Sequence, residues 1–156
     1  MTATVADLPL LERRRIEAGV LIPLIRAFQA EFGEERVNEV AADTIRAIAR
    51  AQGEAERQRR AIVSMDDIAE RTQTGPLGEG SLTADIVEQT EDRYGFDVTR
   101  CQFHEMYNEM GAGDLGFLLS CNRDFAYFEA LAPDVHFDRT QTRMQGAAFC
   151  DFRYRK

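Results

Sequence analysis

The chain has 156 residues, 44% of them hydrophobic, and carries a formal net charge of −8 at pH 7. That length and composition predict a single domain, residues 1–156, that folds without covalent staples. The first sixty residues carry equal numbers of basic and acidic side chains, so the whole negative charge lies in residues 61–156. An acidic region without a basic stripe argues against nucleic acid as a partner and favours a small zwitterionic or neutral substrate.

Apolar stretches of the sequence are short. The run Leu8–Leu11 is followed at once by the charged residues 12–15, and no later run approaches the length of a membrane span. We therefore expect a cytoplasmic protein with no membrane partner. Three cysteines cannot all pair with one another, so in a reducing compartment we expect free thiols, metal ligands or a nucleophile rather than a disulfide framework.

Residues 1–72 are predicted to form a helical scaffold. Apolar residues at helical spacing predict a first helix over 10–32, which Pro23 should bend or split because proline removes a backbone donor. The stretch 34–59 predicts a long amphipathic second helix, and Ser64 begins a capping sequence for a short third helix. Two amphipathic helices of this kind could also form the interface of a homodimer, even in a subunit that has no site of its own.

A glycine-rich break over 75–80 precedes the α+β part of the domain, residues 82–156. Alternating β-branched residues predict a hairpin that turns near Asp92. Further along the chain we expect helices over 102–110, over 114–120 and from Asp124, then strands over 135–144 and 147–154. This order predicts an α+β fold: N-terminal helices packed on a four-stranded antiparallel sheet, with a helical insert between the two strand pairs.

Reactive side chains are concentrated in residues 101–154. Cys101 and His104 are spaced to share a face at a helix start, and Cys121 precedes Asp124 at a helix junction. A helix N-terminus and a nearby histidine both stabilise a thiolate, so Cys121 is the candidate nucleophile. Ordinary roles compete with this hypothesis, because free cysteines are often buried in a core and aspartates often cap helices.

The last predicted strand presents its side chains on two faces in alternation. Cys150 and Phe152 are expected on one face and Asp151 on the other, so the three cannot share a pocket unless a bulge intervenes. Arg139, on the strand before, is either a surface partner of an acid or a ligand for a carboxylate through its planar fork.

Four segments of this region resemble a known family. They are CQFHEMY from Cys101, GDLGFLLSCNRD from Gly113, FDRTQT from Phe137 and GAAFCDFRY from Gly146. Through these segments and their spacing, the stretch 101–154 resembles the L-2-amino-thiazoline-4-carboxylic acid hydrolase family. The resemblance implies a hydrolase that opens a cyclic amidine, converting L-2-amino-thiazoline-4-carboxylate to N-carbamoyl-L-cysteine in cysteine biosynthesis, or one that acts on a related small heterocycle.

The chemistry of such a ring opening suggests roles for the reactive residues. Carbon 2 of the ring is an electrophilic amidine carbon, and attack on it by a thiolate or an activated water expels the ring sulfur. We expect Cys121 to attack, Asp124 to orient the amidinium and His104 to shuttle protons. Substrate contacts are expected from Arg139, which would pair with the carboxylate, and from Thr142, Cys150 and Asp151. No organic cofactor is predicted.

A zinc site is the alternative use of the same side chains. Cys101, His104, Cys121, Asp124 and Cys150 include enough ligands for a Zn²⁺ ion with an open position that activates water. No two cysteines have the close spacing that makes a zinc site recognisable from sequence.

The alternative from another class is a sensor that binds a small molecule without turning it over. Paired strands around a helical insert and a cysteine-containing pocket also resemble the 4-vinyl-reductase-type ligand-binding domains. Such domains serve transcriptional regulators, and the sequence shows no attached DNA-binding or ATPase region. We therefore expect an enzyme rather than a sensor.

Overall fold

The computed structural model describes residues 8–156 as α-helices and one antiparallel sheet of four strands. The helices are α1 (Leu10–Phe32), α2 (Glu34–Arg59), α3 (Met65–Thr74), α4 (Gln102–Glu109), α5 (Gly113–Gly116) and α6 (Arg123–Leu131). The strands are β1 (Leu82–Gln89), β2 (Arg93–Cys101), β3 (His136–Asp138) and β4 (Cys150–Arg155). The helical insert separates two strand pairs, and the predicted α+β class is confirmed.

Helices α1 and α2 form a hairpin that turns at Gly33. The φ angle of Gly33 is 88°, which glycine adopts without the strain that a side chain would cause. Helix α1 continues through Pro23, so it is not split there. Ala18 and Ile25, before and after the proline, are both buried, and this packing holds the helix together across the missing backbone hydrogen bond.

Helix α2 packs along α6, and the two backbones come closest at Gly53. A Cβ atom at this position would collide with the main-chain carbonyl of Tyr127 and crowd Ala130. Only glycine therefore permits this approach. The contact is made by the second half of α6, the helix whose first turn carries Arg123 and Asp124.

Helix α3 begins with a capping box. The Asp67 backbone N–H donates to the Ser64 hydroxyl at 3.1 Å, and the Ser64 backbone N–H donates to the Asp67 carboxylate at 2.8 Å. The helix begins where the sequence predicts and continues to Thr74. Its buried residues Met65 and Ile68 pack against the sheet in the larger apolar core.

The strand order in the sheet is β1-β2-β4-β3. Strands β1 and β2 form the hairpin predicted to turn near Asp92. Strands β2 and β4 are antiparallel neighbours, and the pairs Tyr94–Tyr154, Phe96–Phe152 and Val98–Cys150 face each other directly. These pairs give one face of the sheet an aromatic surface with a thiol at one end.

The final two strands are shorter than predicted. Strand β3 ends at Asp138 instead of continuing to Met144, and β4 begins only at Cys150. After β3 the backbone N–H groups of Thr140 and Gln141 donate to the Asp151 carboxylate, not to a neighbouring strand. The Asp151 carboxylate thus takes the place of the strand–strand hydrogen bonds, and β3 ends. Aspartate side chains commonly compete with the backbone of a sheet in this way.

The predicted helix over 114–120 is two elements in the structure. Helix α5 is followed at once by a π-helical turn, Phe117–Cys121, and α6 begins at Arg123. Single π turns inside helical segments occur often at functional sites. This one places Cys121 at a junction between two helices.

The outer face of the α1–α2 hairpin is apolar. Its exposed side chains are Val20, Leu24, Phe28, Phe32, Val40 and Ile48. This is the surface on which the predicted homodimer would form. Despite that face, no helix within residues 8–156 combines the length and the apolar character needed to cross a membrane.

Candidate active site

A cavity of about 640 Å³ lies between the aromatic face of the sheet and the helices. Phe96, Val98 and Phe152 of the sheet line it, together with side chains from α1, α2, α3, the π turn and α6. The volume lies within the range of about 300–1,000 Å³ that small-molecule sites occupy. Because α1 and α2 supply part of the wall, the N-terminal helices belong to the site as well as supporting it.

All three cysteines line this cavity. Cys101 is the last residue of β2, Cys121 ends the π turn and Cys150 begins β4. Cys150 and Phe152 face the cavity, and Asp151 between them does not line it, as strand alternation predicts. The fold therefore gathers three thiols that are distant in sequence.

The thiols of the cavity are held in the protonated form. Burial raises the pKa of Cys121 far above its ordinary value, and the negative charge of Asp124 raises it further against the opposing effect of Arg139. Burial also raises the pKa of Cys101 to about 11, and it raises the pKa of Cys150. The thiolate stabilisation that we expected for Cys121 at a helix start is thus outweighed by desolvation.

Arg139 and Asp124 form a salt bridge inside the site. The Arg139 side chain is only 2% exposed, and its Nη2 also donates to the main-chain carbonyl of Cys121 at 3.1 Å. Asp124 keeps 30% of its side-chain surface accessible, and it lines the cavity. Burial raises the pKa of Asp124, while Arg139 opposes that rise. The substrate-carboxylate role predicted for Arg139 conflicts with this geometry, because an internal carboxylate already occupies its guanidinium.

Two other predicted substrate ligands hold the loop between β3 and β4. The Asp151 carboxylate accepts hydrogen bonds from the Thr140 hydroxyl at 2.6 Å and from the backbone N–H groups of Thr140 and Gln141 at 3.0 and 2.8 Å. The Thr142 hydroxyl accepts from the Gln145 backbone N–H and donates to the Gln145 side chain. Neither Asp151 nor Thr142 lines the cavity. The Asp151 contacts instead hold the backbone that directly follows Arg139, and the Thr142 contacts cap the short turn at Gln145.

The His104 side chain lies outside the cavity. Its ring contacts the side-chain amide of Asn108, 3.1 Å from Nε2, and the ring is absent from the cavity wall. Of His104, only the backbone N–H interacts with a thiol. It donates a hydrogen bond to Cys101 and lowers the pKa of that thiol against the effect of burial. The predicted proton-shuttle role of His104 therefore has no contact with Cys121 or Asp124 to support it.

The residues considered for zinc do not form a metal-binding group. Within residues 8–156, no three His, Cys, Asp or Glu side chains meet in an arrangement that could hold a metal ion. His104 is turned toward Asn108, and Asp124 toward Arg139. The site residues do not fit a zinc ion, and the chemistry proposed for the site uses none.

The cavity wall is rich in arginine, although the chain as a whole is acidic. The arginines that line it are Arg13, Arg14, Arg59, Arg60, Arg71, Arg123 and Arg139, against the acids Glu17, Glu56, Asp67, Glu79 and Asp124. Sequence reasoning gave no role to Arg123, which stands between Cys121 and Asp124 in the motif and is buried. It also missed Tyr154, whose buried hydroxyl lines the cavity and has no hydrogen-bond partner within residues 8–156.

The cysteines, Asp124 and the arginines of the cavity wall all lie within the part of the chain that matches a family profile. No curated protein sequence matches the chain. Residues 13–154 match the sequence profile of the family described as L-2-amino-thiazoline-4-carboxylic acid hydrolase. The match begins in α1 and ends in β4, so it includes the helices of the cavity wall as well as the cysteine motifs. The chain therefore belongs to the L-2-amino-thiazoline-4-carboxylic acid hydrolase family.

Proposed function

We propose that the protein is a hydrolase that opens the ring of L-2-amino-thiazoline-4-carboxylate to give N-carbamoyl-L-cysteine, or that opens a closely related cyclic amidine. One observation carries the proposal. Cys121 and Asp124 line one cavity of about 640 Å³, and the buried guanidinium of Arg139 bonds to both residues. A nucleophile and an acid held in a partly desolvated cavity are the components that attack on an amidine carbon requires.

In the proposed reaction the substrate activates the thiol. Before substrate enters, Cys121 stays protonated, because burial and the charge of Asp124 both disfavour a second negative charge. An entering amidinium brings a positive charge that pairs with Asp124 and lowers the pKa of Cys121. The thiol proton then leaves through Asp124 as the sulfur bonds to carbon 2 of the ring.

Ring opening and release complete the cycle. The carbon–sulfur bond of the ring breaks, and the ring sulfur takes the proton from Asp124 to become a thiol. Water then attacks the same carbon, Cys121 leaves as a thiol, and N-carbamoyl-L-cysteine is released. One water is consumed in each cycle, the additional proton that the amidinium brought is released to solvent, and no electrons are transferred to any other species.

The role of Arg139 in this proposal is to position Asp124 and the π turn. Its guanidinium holds the carboxylate from one side and the Cys121 carbonyl from the other. The Arg139 guanidinium also lies over the rings of Phe125 and Phe152. A buried, clamped arginine of this kind favours the ionised form of Asp124 against the effect of burial and fixes its position, so that the carboxylate can accept the thiol proton when substrate arrives.

The decisive experiment follows product formation by mass spectrometry from purified protein and L-2-amino-thiazoline-4-carboxylate. Cys121→Ser should abolish N-carbamoyl-L-cysteine formation, because a serine hydroxyl is a far poorer nucleophile than a cysteine thiol. Cys101→Ser is the matched control, since Cys101 lines the same cavity but has no place in the reaction. Full activity of the Cys121→Ser variant would refute the nucleophile, and no product from the wild type would refute this substrate.

The sensor alternative predicts a different outcome of the same experiment. A ligand-binding domain would retain the substrate unchanged, and isothermal titration would show equal binding to the wild type and to Cys121→Ser.

We further propose that the protein acts in the cytoplasm and that its turnover supplies cysteine biosynthesis. Growth of a strain lacking other cysteine sources on the thiazoline, with and without this protein, would test that role.

A further inference from the structure

Arg123 is a buried cation that forms no ion pair with any carboxylate of residues 8–156. Its side chain lines the cavity, and the residue is only 7% exposed. Its Nη2 donates to the side-chain oxygen of Gln52 at 2.7 Å, and within residues 8–156 no ion pair to Arg123 is found. A buried charge that has only a neutral amide as partner is costly to the fold. Its retention in the wall of a cavity points to a ligand that supplies the missing negative charge.

The acids nearest to Arg123 are committed elsewhere. Glu17 binds the neighbouring Arg14, with both carboxylate oxygens within 2.9 Å of Nη1. Asp124 is the partner of Arg139. Arg14 itself is only 12% exposed, and its positive charge acts with burial to lower the pKa of Arg123. This part of the wall therefore carries a positive charge that no ion pair among the described residues neutralises.

We propose that Arg123 binds the carboxylate of the substrate, with Arg14 as a second cation beside it. The inference rests on the proposed function for the identity of the acid, but the guanidinium would take any small carboxylate. Arg123 and Asp124 are adjacent in the first turn of α6, so one turn of helix offers a cation and an anion to the two ends of a zwitterion. The preferred substrates are thus small molecules that carry both a carboxylate and an amidinium.

Alkylation of Cys121 by a matched pair of reagents tests this site without any substrate. Iodoacetate and iodoacetamide react with the same thiolate and differ in charge, so the ratio of their rates cancels the acidity of the thiol. The rates at Cys121 are measured by peptide mass spectrometry at one alkaline pH. In the wild type the ratio of iodoacetate to iodoacetamide should exceed that of free 2-mercaptoethanol. Arg123→Gln should lower it by about tenfold, the effect of losing one charged hydrogen-bond partner.

Two variants control for general damage. Arg71→Gln removes a second arginine of the cavity wall, but one that already pairs with Glu56, and it should leave the ratio unchanged. Arg123→Lys keeps the charge and should retain most of the preference. An unchanged ratio in a folded Arg123→Gln variant would overturn the inference. If that variant does not fold, a wild-type ratio no higher than that of 2-mercaptoethanol would overturn it as well.

Steady-state kinetics with two substrates can test the role of Arg123 separately from the proposed function. If the wild type hydrolyses L-2-amino-thiazoline-4-carboxylate, Arg123→Gln should raise KM for it by about tenfold or more while leaving KM for 2-amino-thiazoline, which lacks the carboxylate, unchanged. If the wild type hydrolyses neither compound, the proposed substrate is wrong, and the alkylation ratio still reports on Arg123. Equal losses for both compounds would indicate a structural role for Arg123 and contradict carboxylate binding.

Discussion

The Arg139 guanidinium joins the Asp124 carboxylate to the main-chain carbonyl of Cys121, with 3.1 Å from Nη2 to the carbonyl oxygen. One buried side chain from the loop after β3 thus fixes both the acid and the turn that carries the candidate nucleophile. Asp151 in turn holds the backbone beside Arg139. The two motifs at residues 139–142 and 150–152 therefore hold the site together through these contacts.

Breaking the Arg139–Asp124 pair should reduce both stability and activity. Arg139→Met leaves Asp124 without its cation in a partly desolvated cavity, and we expect a loss of about 3 kcal/mol in the free energy of unfolding. Urea denaturation of the wild type and the variant measures this loss. The double variant Arg139→Met with Asp124→Leu should recover part of the stability but no activity. Equal stability of the single and double variants would contradict a buried, coupled pair.

The reactivity of Cys121 should depend on pH in a way that reports the charge of Asp124. Because the Asp124 carboxylate raises the pKa of Cys121, Asp124→Asn should shift the pH profile of Cys121 alkylation by iodoacetamide to lower pH. A thiol is reactive above its pKa, so at one alkaline pH the variant should react faster than the wild type. Cys101 provides the internal comparison: Asp124 also raises its pKa but ranks last among the causes there, so its profile should shift less than that of Cys121. A shift toward higher pH would contradict the charge interaction.

Asp151 should matter for the shape of the site without touching substrate. Asp151→Ala removes the acceptor of three hydrogen bonds from the loop, and a loss of about 2 kcal/mol in the free energy of unfolding is expected. Because Arg139 begins that loop, kcat should fall more than KM rises. Steady-state kinetics with thermal denaturation measures both effects. A large rise in KM with unchanged stability would instead indicate direct substrate binding, as the sequence predicts.

The close approach of α2 to α6 should make Gly53 intolerant of a side chain. Gly53→Ala would force a methyl group against the Tyr127 carbonyl, and overpacking of this kind costs about 1–3 kcal/mol. Gly19→Ala is the matched control, since a Cβ there meets no atom within 4 Å, and alanine is the better helix former by about 0.5–1 kcal/mol. The melting temperatures should therefore move in opposite directions. The same direction in both variants would contradict the predicted clash.

Metal removal should leave the protein unchanged. The reactive side chains within residues 8–156 form no metal-binding group, so dialysis against a chelator should alter neither turnover nor melting temperature. Metal analysis of the untagged protein should find less than about a tenth of an equivalent, far from the full occupancy of a structural or catalytic zinc site. Activity that disappears on dialysis and returns with Zn²⁺ would revive the zinc alternative.

Local sequence patterns determined the secondary structure of this protein well where the interactions are local. The capping box at Ser64 begins α3, and the hairpin near Asp92 joins β1 to β2. Both depend on contacts between residues that are close in sequence. The predicted continuation of β3 beyond Asp138 was wrong. There the backbone N–H of Thr140 donates to the carboxylate of Asp151, eleven positions later, and not to a neighbouring strand. No local pattern shows that competition.

The sequence by itself identified the motifs, the family resemblance and the alternation that places Cys150 and Phe152 on one face of the last strand and Asp151 on the other. The tertiary structure showed which of these faces lines the cavity. Only the tertiary structure decided what the charged groups do, because burial and pairing depend on residues far apart in the chain. Packing turned His104 away and bound Arg139 to Asp124, and within the part of the chain that the structure describes it left Arg123 without an ion-pair partner. The pKa of Cys121 rises for the same reason, since desolvation is a property of the assembled cavity and not of the residue or its neighbours in sequence.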